Sequence, residues 1–161
     1  GWKPDERVRP NQIFSVSQPY SALPKEQQAA VVEKVRTRLL TPMGLRTLVP
    51  GDPGYMARFE GTLRERDAAY HNGTVWPWLI GPYCAALLRS SEFSDASRKE
   101  AKAALKPLLR ELATREQRVG PIGQLAEVYD AEDSPTARRP EGCMAQAWSV
   151  AEVLRGLVLV S

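Results

Sequence analysis

The densest chemical equipment in the chain is Asp67-Ala68-Ala69-Tyr70-His71-Asn72-Gly73-Thr74-Val75-Trp76-Pro77-Trp78. This run sets a carboxylate, a phenol, an imidazole, an amide and two indoles side by side. A sugar presents apolar C–H faces beside rings of hydroxyls. A site for one therefore needs aromatic platforms next to donors and acceptors of fixed geometry. Taken singly, Trp76 or Trp78 also suits a core position at a helix start. The pair beside His71 and Asn72 asks for more than packing. Asp67, at the edge of the run, reads as a hydroxyl-binding residue or a partner for His71. A second constellation is Gly123-Gln124-Leu125-Ala126-Glu127-Val128-Tyr129-Asp130, followed by the stretch from Arg139 to Ser149. Glu127 stands between apolar Ala126 and Val128, the setting of either a helix cap or a functional acid/base. Gln146 and Trp148 open the last apolar segment, where Trp148 also fits a core. A third, Arg9-Pro10-Asn11-Gln12, taken alone is an ordinary helix start with Asn11 as a polar cap.

These residues need elements to hold them. Residues 1–8 are polar and read as an entry loop, and a short helix is expected after Pro10, since proline suits a first helical position. The next helix begins near Pro24 and runs to about residue 40, with Val31, Val32, Val35 and Leu39 at helical spacing. The stretch 45–73 reads as a long polar loop, of a length that is usually functional in a compact domain. Residues 74–88 are apolar on nearly every face and predict a helix buried all round, capped by Thr74, with Pro77 in its first turn and a kink at Pro82. An amphipathic helix is expected over 95–116, capped by Ser94, with a kink at Pro107. A Gly/Pro-punctuated piece spans 120–142, and a final apolar helix runs from about 144 to 159. No strand pair with a hairpin turn and no internal repeat is evident. Amphipathic helices thus alternate with wholly apolar ones, the signature of a double ring. Helix starts would share one rim, where backbone N–H groups point outward.

The 161 residues fit one domain, with a 43% hydrophobic and 25% charged share ordinary for a globular protein. Net charge is +3, from 22 basic and 19 acidic residues. The charges are interleaved, as in Arg98-Lys99-Glu100, which reads as a solvated helix face and disfavours nucleic acid as a partner. No apolar run is long enough to span a membrane. The lone His71 builds no zinc site and no acidic cluster has calcium-loop spacing, so no metal or other cofactor is expected. Two distant cysteines, Cys84 and Cys143, make no disulfide framework; both are expected reduced, which points to the cytoplasm.

Together the three constellations resemble one family. YHNGTVWPWLIGPY at 70–83 looks like the signature of the amylo-α-1,6-glucosidase domain of glycogen-debranching enzymes. RPNQIFSVS at 9–17, GLRTL at 44–48 and the run from AEVYD to GCMAQAWSVAEVLR at 126–155 are similar to the same family, in the same order. The resemblance extends from Arg9 to Arg155 and lies at the family's C-terminal end.

The resemblance implies an all-α fold, the alpha/alpha toroid of six-hairpin glycosidases. Residues 1–161 would form a single unit, the C-terminal portion of that ring. It implies hydrolysis of α-1,6-linked glucosyl branches of glycogen or a related α-glucan by an inverting, two-carboxylate mechanism. Glu127 matches the family's general base. Asn11, Asp67, Tyr70, His71, Asn72, Trp76, Trp78, Gln146 and Trp148 are the expected sugar-contacting residues. The family's general acid, an aspartate, has no matching motif here, so this piece alone is expected to be inactive. The implied partners are branched glucan or oligosaccharide and the N-terminal remainder of the same enzyme. The other reading is a non-catalytic carbohydrate-binding or structural module of the same fold. A half ring would also expose apolar helix surface and favour self-association.

Overall fold

The computed structural model describes residues 4–114, 121–132 and 138–161. The last two residues of the expected helix 95–116 and parts of the piece 120–142 lie outside the described residues. About half of the chain is helical. A 3-10 turn, Pro10–Ile13, leads into α1, Phe14–Ser17. Helix α2, Lys25–Arg38, buries Gln28, Val32 and Val35 on one stripe, and Arg36 and Arg38 sit in its last turn, where cations oppose the helix dipole. Helix α3 spans Leu63–Ala69. A second 3-10 turn, Pro77–Leu79, opens α4, Ile80–Ser90. Helix α5 is Asp95–Thr114, with the Ser97 N–H donating to the Ser94 hydroxyl at 3.3 Å as an N-cap. Helix α6 is Ala147–Val160.

Helix α4 is the centre of the molecule. Every residue from Ile80 to Leu88 is buried, and α1, α2, α5 and α6 all pack on it. That is what an element apolar on all faces requires. Helix α6 does not share this property. It turns Ser149, Val153, Gly156 and Val160 inward, while Leu154 and Val158 remain 53% and 76% exposed. The final apolar helix expected over 144–159 is present as α6, and α4, α5 and the second 3-10 turn cover one side of it, leaving apolar side chains exposed on the other.

The all-α expectation is corrected. Five very short strands form an antiparallel sheet whose order follows the chain: β1 Leu40–Thr41, β2 Gly44–Arg46, β3 Val75–Trp76, β4 Val128–Tyr129 and β5 Pro140–Glu141. Strands β1 and β2 form a hairpin across Pro42-Met43, with Leu40 opposite Leu45. Gly44 has φ +128°, and a Cβ there would run into the Trp76 carbonyl across the ladder. Strand β3 pairs Leu45 with Trp76 and Val75 with Tyr129.

The stretch 45–73 is not a structureless loop. It contains β2 and then α3, which carries a reciprocal capping box: Thr62 N–H donates to the Glu65 carboxylate at 2.7 Å and Glu65 N–H to the Thr62 hydroxyl. Thr74 does not cap α4. It precedes β3 and its hydroxyl donates to the Ala69 carbonyl at 2.6 Å, tying the strand to the end of α3. Pro82 falls in the first turn of the α-helical segment, where a missing N–H removes no intrahelical bond.

Candidate functional site

Three stretches far apart in sequence meet at one end of α4. The first is the 3-10 turn at Pro10. The second is the turn and strand between α3 and α4. The third is the β4–β5 region with the start of α6. Their junction is held by polar contacts of Arg9 and of the buried Thr47. Arg9 donates to the His71 carbonyl at 2.6 Å, to the Asn72 side chain at 2.8 Å and to the Thr47 carbonyl at 3.2 Å. Thr47 in turn accepts from Gly73 N–H and donates to the Thr74 carbonyl, both at 2.9 Å. Gly73 has φ +153°, and a Cβ there would overlap the Met56 carbonyl. A glycine is needed for that close approach.

The meeting point is a hollow of about 520 Å³, within the range of small-molecule sites. Its lining includes Asn11, Tyr70, His71, Trp76 and Trp78. Glu127, Gln146 and Trp148 adjoin them, with Pro10, Thr47 and Leu79 completing the wall. The rings form a continuous series. Tyr70 packs on His71 and Trp76, each at 4.8 Å between centroids. His71 stacks on Trp76 at 5.0 Å and 12°. Trp148 meets Trp76 edge-on at 5.9 Å, and Phe14 stacks behind Trp78. Trp76 is itself buried, its indole N–H donating to the Tyr70 carbonyl at 2.9 Å, so it serves as much to shape the wall as to face a ligand.

Glu127 is the only carboxylate among those lining residues. It immediately precedes β4, and its N–H bonds to the Cys143 carbonyl at 2.7 Å, continuing the pairing with β5. Its side chain accepts from the Tyr70 hydroxyl at 2.6 Å and from the Cys143 N–H at 3.1 Å, with Gln146 Nε2 at 3.5 Å. Gly142 has φ +70°, and a Cβ there would press on the Glu127 carboxylate. Burial, then the hydrogen bond to Glu127, pushes the Tyr70 hydroxyl well above its ordinary range, so it stays a proton donor at neutral pH. Glu127 is thus neither a helix cap nor a freely solvated carboxylate.

Two expected sugar contacts fall outside this hollow. Asn72 has its side-chain oxygen on Arg9 and its amide on the Ala68 carbonyl at 2.8 Å, so its polar atoms are engaged in holding the turn. Asp67 lies on α3, in a second and smaller hollow of about 280 Å³ with Phe59, Leu63, Arg66 and Gly142. That hollow shares Tyr70 and Glu127 with the larger one. Sequence reasoning passed over Thr47, Phe59 and Arg9. Arg9 and Thr47 lay within stretches already singled out, RPNQIFSVS and GLRTL, whereas Phe59 had no local signal. Among the described residues no cluster of His, Cys, Asp or Glu could hold a metal ion. No helix among them is long and apolar enough to cross a membrane.

A cavity walled by stacked rings, with one carboxylate held by directed donors, can receive a small molecule that has both apolar faces and hydroxyls. The amylo-alpha-1,6-glucosidase family model matches residues 2–155. The chain belongs to that family, and it is a glycoside-hydrolase-related domain.

Proposed function

We propose that this domain contributes the base side of an inverting glucosidase that removes α-1,6-linked glucosyl branches from glycogen or a related α-glucan. The observation that carries this reading is Glu127, a lone carboxylate gripped by donors, facing the same hollow as Trp78, Trp148 and His71. In an inverting glycosidase one carboxyl group protonates the leaving oxygen. The other activates water from the opposite face, at a separation of roughly 6.5–9.5 Å. Glu127 takes the second role. The proton donor comes from a carboxyl group outside these 161 residues, on a neighbouring part of an alpha/alpha toroid of which this chain forms a portion. Trp78, Trp148 and His71 supply platforms, while Asn11 and Gln146 supply polar contacts for hydroxyls.

The test is Glu127→Gln in the full-length protein. Turnover of a branched glucan falls by at least about 1000-fold while glucan binding persists, because the amide keeps the shape and loses the base. Wild-type-like rates would place the base elsewhere. The wild-type product, followed by NMR, is the β-anomer of glucose.

A further inference from the structure

Glu127 has two oxygens, and each has its own donor. The Tyr70 hydroxyl donates to Oε1 at 2.6 Å and the Cys143 backbone N–H to Oε2 at 3.1 Å. A glutamate side chain has three rotatable bonds, and a carboxylate that can swing presents its lone pairs in many directions. Two anchors on different oxygens remove that freedom. Oε1 also has Gln146 Nε2 at 3.5 Å, while Oε2 keeps a second lone pair for a water molecule.

The donor on Oε1 is itself fixed. The Tyr70 ring packs between Phe59 at 5.3 Å and Trp76 at 4.8 Å, and the Tyr70 carbonyl is tied to the Trp76 indole. Phe59 is anchored in turn, its N–H donating at 3.0 Å to Asp130, which is fully buried. A chain of contacts therefore runs from the sheet through Phe59 and Tyr70 to the carboxylate. The Tyr70 hydroxyl has one hydrogen, and that hydrogen points at Glu127. A sugar hydroxyl can only donate to this oxygen; it cannot receive from it.

We infer that Tyr70 is the positioning residue of Glu127, its hydroxyl holding the carboxylate at the orientation needed to activate water instead of binding glucose directly. This inference rests on the reading of Glu127 as the general base. It differs from a sugar-binding role in what it predicts for kcat against KM. A charge-assisted hydrogen bond is among the stronger contacts in a protein, so its loss is measurable.

Tyr70→Phe in the full-length protein keeps the ring and its stacking and removes only the hydroxyl. The expected result is a fall in kcat of about 10- to 100-fold, with KM unchanged within about twofold. An unchanged kcat, or a raised KM at unchanged kcat, overturns the inference. A readout independent of turnover comes from infrared difference spectra. Wild type minus Glu127→Gln identifies the Glu127 carboxylate bands, and these shift in Tyr70→Phe; bands that stay in place also overturn it. A fully active Tyr70→Phe beside an inactive Glu127→Gln removes only the positioning role. A fully active Glu127→Gln removes the base reading and this inference with it.

Discussion

Trp78 and Trp148 lie face to face, with ring centroids 5.3 Å apart and planes inclined by 22°. One comes from the 3-10 turn before α4 and the other from the first turn of α6. Trp148 is 45% exposed, so the pair is open on one side. A core pair would be covered. Replacing Trp148 with Ala removes an exposed platform together with its ring contacts to Trp78 and Trp76. Gluco-oligosaccharide binding, measured by isothermal calorimetry on a variant still folded by circular dichroism, is expected to weaken by about 10-fold or more. Undiminished affinity would put the sugar platform elsewhere.

Gly73 and Gly51 both have positive φ, at +153° and +94°, but only Gly73 faces an obstructing backbone carbonyl, that of Met56. Gly51 has nothing within 4 Å of its Cβ position. Gly51→Ala should therefore cost about 1 kcal/mol from backbone strain alone. Gly73→Ala should cost about 2–4 kcal/mol, since the turn carrying His71 and Asn72 must move as well. Urea unfolding of the two variants checks the order.

The two thiols differ in kind. Burial pushes the Cys84 thiol up to about 12, so it is protonated and shielded inside α4 at pH 8. Cys143 is exposed. A chromogenic disulfide reagent should titrate one thiol quickly in the native protein and both after denaturation. Rapid native reaction of both would mean that α4 opens readily.

Leu154 and Val158 lie one turn apart on the uncovered face of α6. Such a stripe promotes association. The isolated chain should show concentration-dependent sedimentation. Replacing both residues with Lys should abolish that dependence and leave the unfolding midpoint nearly unchanged. A wild-type chain that stays monomeric at high concentration would contradict this.

The long helices were legible because their periodicity runs over several turns. The expected 24–40 and 95–116 correspond to α2 at Lys25–Arg38 and α5 at Asp95–Thr114. The sheet was not legible. Its strands are two or three residues long, and alternation with period two cannot show itself in Val75-Trp76 or Val128-Tyr129. Helix α3 did carry a signal, the Thr62-to-Glu65 capping box, which the glycines and prolines around it masked. For the candidate site, residue type proved informative and local spacing did not. Tyr70, His71 and Trp78 stood out as a cluster, yet only the tertiary fold shows that Asn72 is engaged by Arg9 while Tyr70 reaches Glu127.

The bond from Arg9 to the His71 carbonyl joins residues 62 positions apart, and Trp148 completes the lining by stacking on Trp78. The chamber is thus assembled from stretches that leave the ribosome at very different times. It cannot exist until the segment through Trp148 has emerged, so a nascent chain stalled before residue 146 would have one wall of rings and no place for a sugar to rest.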